Sequence, residues 1–160
     1  LVFTITLQNK IAIVPQKIYS LNADMQEIPE VDWKKVYQFV SEKLDENPKA
    51  ILVVNWNDLP VWYLGESTNN LYIARRKPYQ NASTVDLLSS RPIIYSLDKL
   101  KNLIKENPRG IAVFDSWDSA ILPGAREYAQ KNLKKELEID RLYSQQPRYW
   151  PVSIYSWGIN

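Results

Sequence analysis

The chain contains no cysteine and no histidine. Without cysteine there is no disulfide framework and no thiolate nucleophile. Without either residue the common zinc sites have no ligands. The Ser–His and Cys–His nucleophile pairs are excluded with them. Glycine is scarce: the four residues Gly65, Gly110, Gly124 and Gly158 all stand alone. A dinucleotide site needs a glycine-rich turn after its first strand, and a phosphate-cradling loop needs a run of its own; the sequence has neither. No cofactor is expected. Excess charge of one sign is missing too. Twenty basic against eighteen acidic residues leave +2, and the one basic cluster, Arg75-Arg76-Lys77, is too small to track a phosphate backbone. No nucleic-acid partner is expected. A long hydrophobic run is also absent: Leu1–Leu7 is apolar but far short of the about 20 residues that span a bilayer.

What is present suits one domain. The length is 160 residues, 45% of them hydrophobic and 24% charged, ordinary values for a globular fold. Six Trp and ten Tyr are many for this length. Most should be core, because aromatic rings bury large areas; a surplus at the surface would suit carbohydrate or a protein partner.

One stretch occurs twice. Glu46-Asn47-Pro48-Lys49-Ala50 leads into Ile51-Leu52-Val53-Val54, and Glu106-Asn107-Pro108-Arg109-Gly110 leads into Ile111-Ala112-Val113-Phe114. Each copy follows a run with helical period. Asp32 is a good N-cap, and Trp33, Val36, Tyr37, Val40 and Leu44 then fall on one helix face. Ser96 caps the second run, where Leu97, Leu100, Leu103 and Ile104 form the apolar stripe and Asp98 sits near the positive helix end. Proline stops each helix, since the residue before it is pushed out of the α region. The apolar runs that follow lack alternation, as strands buried on both faces do.

Other elements follow from local chemistry. Pro60–Leu64 is predicted as a short helix closed by a left-handed Gly65. Leu71–Ala74 and Ile93–Tyr95 are predicted strands, separated by an irregular loop with a helical turn at Val85–Leu88. That loop carries the glycosylation sequon Asn81-Ala82-Ser83. A helix from about Pro123 should place Ala125, Tyr128, Ala129, Leu133 and Leu137 on one face, with Lys131, Lys134 and Lys135 in water. Arg141–Ser144 and Val152–Trp157 then read as a closing antiparallel hairpin, with Val152 and Ile154 on one face of the last strand and Ser153, Tyr155 and Trp157 on the other. The sum is an α/β fold: a three-layer sandwich with a mostly parallel, Rossmann-like sheet and an antiparallel C-terminal edge hairpin.

Ligands of open α/β sheets lie beyond the carboxyl ends of the strands. The duplicated strands deliver Asn55-Trp56-Asn57-Asp58 and Asp115-Ser116-Trp117-Asp118 there. If the strands are neighbours, Trp56, Asn57, Asp58, Asp115, Trp117 and Asp118 share one rim. An aromatic face packs the apolar side of a sugar ring, and carboxylates or amides take its hydroxyls. The same residues also suit plain structural duty, with Asp58 and Asp118 as helix caps and both Trp as packing. A glycosidase acid–nucleophile pair gets no support from the spacing. No catalytic residue and no metal ligand is assigned.

Pro29-Glu30-Val31-Asp32-Trp33-Lys34-Lys35-Val36-Tyr37, followed by a strand and then Pro60-Val61-Trp62-Tyr63-Leu64-Gly65, resembles the soluble C-terminal domain of polytopic membrane glycosyltransferases. These are the relatives of the protein O-mannosyltransferases and aminoarabinose transferases, which use polyprenyl-phosphate sugars. The closing Val152–Trp157 strand fits as well, so the resemblance spans about residues 29–157. It implies an extracytoplasmic, non-catalytic domain attached to the transmembrane part of a parent protein, with a glycan or acceptor as further partner. Residues 1–28 would be an arm following a membrane segment and 29–160 the single α/β domain. The start at Leu1 and the lack of cysteine accord with that expectation. The catalytic acids of that family lie in a loop of the transmembrane part, so none is carried over.

Overall fold

The computed structural model describes residues 30–55, 58–65, 70–87, 89–116, 119–139, 141–142 and 151–159. The N-terminal arm, Tyr143 and Ser144 of the predicted strand, and the 145–148 connection after it lie outside them. In chain order the first elements are β1 (Glu30–Val31), α1 (Trp33–Glu46), β2 (Ile51–Val54), α2 (Asp58–Leu64), β3 (Leu71–Ala74) and β4 (Ile93–Ile94). There follow α3 (Leu97–Glu106), β5 (Gly110–Asp115), α4 (Ala125–Asn132), β6 (Lys134–Ile139), β7 (Arg141–Leu142) and β8 (Val152–Trp157).

Helix ends follow the sequence signals closely. Asp32 Oδ1 accepts the Lys35 amide at 3.0 Å and starts α1. Ser96 holds the matching position before α3, but its hydroxyl makes no capping bond; the carbonyl of Ser96 accepts the Leu100 amide at 3.1 Å and carries that start instead. At the other ends one device recurs. The side-chain amides of Asn47, Asn107 and Asn132 donate to the carbonyls four residues back, those of Lys43, Leu103 and Tyr128, at 2.8–3.0 Å. Each adds a bond to a carbonyl of the last helical turn, and the Leu103 carbonyl takes the Asn107 backbone amide as well. Gly65 closes α2 at φ 75°.

The main sheet runs β4-β3-β2-β5-β8-β6. The first four strands are parallel, with Ile51 opposite Gly110 and Val54 opposite Val113 at the centre. β8 is antiparallel to β5 and to β6. Alternate residues feed two cores. Leu52, Val54, Ile111, Val113, Val152 and Ile154 pack under α1 and α2. Ile51, Val53, Ala112, Phe114 and Tyr155 pack under α3 and α4. The three-layer α/β sandwich with a mostly parallel sheet and an antiparallel C-terminal edge is therefore observed.

The route to that edge differs from the expectation. The helix after Pro123 ends at Asn132, and Lys134–Ile139 is a strand. Leu137 continues the helical i, i+4 step from Leu133 and also the strand i, i+2 step to Ile139, and pairing with β8 decides between them. β8 therefore pairs with β6, whereas β7 pairs with β1 in a separate two-stranded sheet. The expected helical turn is reduced to one loop, in which the Ser90 amide donates to the Asp86 carbonyl at 2.9 Å.

The duplicated turn is locked to the end of β8. Trp157 Nε1 donates to the Asn107 carbonyl at 2.8 Å, and its indole lies flush on Gly110, where any Cβ would overlap it. Gly158 sits at φ 61°, with its α-carbon against the Pro108 carbonyl. Gly110→Ala and Gly158→Ala should each lower stability by about 1–3 kcal/mol, read as a shift in urea midpoint. An exposed control such as Lys131→Ala should not move it.

Edge strand β6 gives a second expectation. Glu136 accepts from Ser156 Oγ at 2.6 Å and pairs with Lys134 at 2.9 Å. Burial alone would raise its carboxyl; those two partners, with Lys43 behind them, outweigh burial and hold it below the usual 4.5. A depressed folded-state pKa adds stability above the unfolded value and loses it as pH falls through the folded one. The gap in urea midpoint between the native chain and Glu136→Gln should therefore be open at neutral pH and close in acid.

Candidate functional site

From β2 the chain moves outward to β3 and β4, and α3 then returns it to β5 on the other side of β2. Strand order thus reverses between β2 and β5. The chain leaves β2 toward α2 on the first face and leaves β5 toward α4 on the second. In sheets of this kind the carboxyl ends of such a strand pair are the usual ligand position.

The register brings the two predicted tips together. Asn55 Oδ1 accepts the Asp115 amide at 3.0 Å, and both residues are 2% exposed. Of the rim residues read from sequence, Asp115 ends β5 and Asp58 begins α2. Trp56, Asn57, Trp117, Asp118 and the side chain of Asp58 lie outside the described residues. Asn55, the first residue of its tip, proves to be the tie between the two.

Beside this pair stands an aromatic stack. Tyr37 of α1 lies on Tyr63 of α2, with ring centres 5.3 Å apart and planes 10° from parallel. Trp33 continues the stack at 6.2 Å. Burial pushes the Tyr37 hydroxyl far above its ordinary pKa, and the nearby Tyr63 and Asp115 push it the same way. Tyr37 is therefore a neutral hydroxyl next to the Asp115 carboxylate. Tyr63 is 40% exposed and its neighbour Trp62 83%, so the aromatic surplus does reach solvent here.

On the second face, at the same end of the sheet, lies a cleft of about 350 Å³. Phe114 and Tyr155 are buried beside it, their rings 6.4 Å apart and tilted 48°. Arg126 of α4 reaches in and donates from Nη1 to the Ser116 carbonyl at 2.8 Å. Across the cleft Lys135 and Glu138 form an ion pair, and Ser153 Oγ donates to Glu138 Oε2 at 3.1 Å. The hydrogen bond with Glu138 outweighs partial burial and pushes the Lys135 ammonium above its ordinary pKa. Sequence reasoning missed this cleft. Arg126 carries no signal of its own, and β6 had been read as helix.

Among the described residues no group of three or more acidic side chains is gathered as a metal site would need. Comparisons of the chain with family models, with curated proteins and with solved structures find no match.

Asn55→Ala would leave the buried Asp115 amide without its acceptor. A loss of about 1–3 kcal/mol is expected from such an orphaned donor, measured by denaturant unfolding. Faster hydrogen exchange at the Asp115 amide would place the effect at the rim.

Proposed function

We propose that the chain is a non-catalytic, extracytoplasmic domain of a membrane-bound glycosyltransferase that transfers a sugar from a polyprenyl-phosphate donor. Its role is to support the membrane active site or to recognise the acceptor, with the parent's transmembrane part as its partner. One observation carries the reading. The short words behind the resemblance to the O-mannosyltransferase and aminoarabinose transferase group fall on element boundaries of this fold. Asp32-Trp33 is the cap and first residue of α1, Tyr63-Leu64-Gly65 is the end of α2, and Val152–Trp157 is β8. Among the described residues no helix is long and apolar enough to cross a membrane; in this reading the parent's transmembrane part supplies the attachment.

A second reading is a sugar- or small-ligand-binding α/β module. The reversal of strand order between β2 and β5, with half-exposed Tyr63 stacked on Tyr37 near Asp115, favours it.

The parent reading frame separates the two. It should encode several hydrophobic spans before Leu1, and membranes carrying it should transfer sugar from a polyprenyl-phosphate donor. Deleting residues 29–160 should reduce transfer at least tenfold while the remainder stays membrane-inserted. A start codon close to Leu1 sinks the first reading. For the second, a glycan array should show binding that Trp56→Ala and Trp117→Ala remove; binding indifferent to both changes counts against it.

A further inference from the structure

The cleft on the α4 face holds an uneven set of charges. Lys135 is tied to Glu138, and Glu138 also takes the Ser153 hydroxyl. Arg126 is different. Its one hydrogen bond among the described residues is Nη1 to the Ser116 carbonyl, and it pairs with no carboxylate there. Guanidinium carries five donors in a flat fork, so four remain to be met by something else. Arg126 is half-buried, where an unmatched cation is more costly than at an open surface.

Tyr155 adds a second sign. Its ring is buried against Phe114, and the side chain lines the cleft beside Lys135. Gln130 stands at the rim with both an amide donor and an amide acceptor. The cleft therefore offers a cationic fork, a phenol and a two-way amide above an aromatic floor. Its about 350 Å³ is near the lower end for small-molecule sites.

We propose that this cleft binds a small polyhydroxylated monocarboxylate, of the sugar-acid or hydroxy-acid class, with its carboxylate on Arg126. Among the described lining residues two cations stand against one carboxylate, and a monoanion cancels the positive charge left over. A phosphate dianion would leave a negative charge uncompensated in a partly buried place. A carboxylate also matches the planar fork bidentately. Hydroxyls of the ligand fall to Gln130 and Tyr155. The proposal stands apart from the identity of any parent protein, because it concerns this chain's own side chains and the face away from Asp115.

Calorimetric titration of the full chain with D-glucuronate tests it, with D-glucose and inorganic phosphate as comparisons. Saturable one-to-one binding of glucuronate is expected, at least tenfold tighter than either comparison. Arg126→Gln should weaken it tenfold or more. Arg126→Lys should fall between, since an ammonium keeps the charge and loses the fork. Lys131→Gln, exposed on the same helix, should leave binding unchanged. The wild-type Arg126 side-chain N–H resonance should shift during the titration, a reading that needs no variant to fold. The proposal is overturned if glucuronate does not saturate, if glucose or phosphate binds as tightly, if Arg126→Gln binds like the native chain, or if the Arg126 resonance stays put.

Discussion

Leu52, Val53 and Val54 are almost wholly removed from solvent, and so are Ile111, Ala112 and Val113. Their peptide groups reach no water. Each must find its hydrogen bonds in a neighbouring strand, because an orphaned buried amide or carbonyl costs as much as several side-chain contacts can supply. Parallel pairing of β2 with β5 answers that demand at the centre of the sheet. Once it is made, the apolar side chains of both strands point to two faces, and both need helices over them. The order of layers and the return through α3 follow from it.

Much of this could be read from the residues alone. Runs without alternation announced central strands, and Asp32, Pro48, Pro108 and Gly65 marked helix ends. These signals are local: each depends on one residue's geometry or on a few neighbours. The failures share the opposite property. Lys134–Ile139 has too few apolar positions to fix its period, and its state is settled by β8, which pairs with it across the intervening chain. The partner of β7 lies far upstream, at Glu30–Val31. The candidate site divides along the same line. Strands that are adjacent in the sheet placed Asn55 and Asp115 side by side, as expected from their matching contexts. The Arg126 cleft exists because β6 and β8 come together beneath α4, and nothing in the spacing around Arg126 records that.

The doubled Glu-Asn-Pro stretch ends each helix in two steps. Asparagine turns its amide back onto the last helical turn, and proline then prevents the helix from resuming. Asn132 uses the same side-chain bond without a proline behind it, and the chain still leaves in an extended conformation at Leu133. The amide is thus enough to close a helix here. Proline adds a fixed direction of exit, which the two central strands need and the edge strand does not. The Ile51 amide donates to the Arg109 carbonyl at 3.1 Å, so β2 starts against the turn that leads into β5.

Charge along β6 has a consequence for how the molecule meets its own copies. An edge strand normally invites another strand, because its outer peptide groups are unpaired. Here the margin carries Lys134, Lys135, Glu136 and Glu138, bound to one another in two ion pairs, and a register irregularity falls between Lys135 and Leu137. A strand approaching that margin would have to strip solvent from those charges and match a kinked ladder. The opposite margin, β4, is only two residues long. A sheet bounded in this way offers little template for growth, so the domain can be held at high local density without zipping edge to edge.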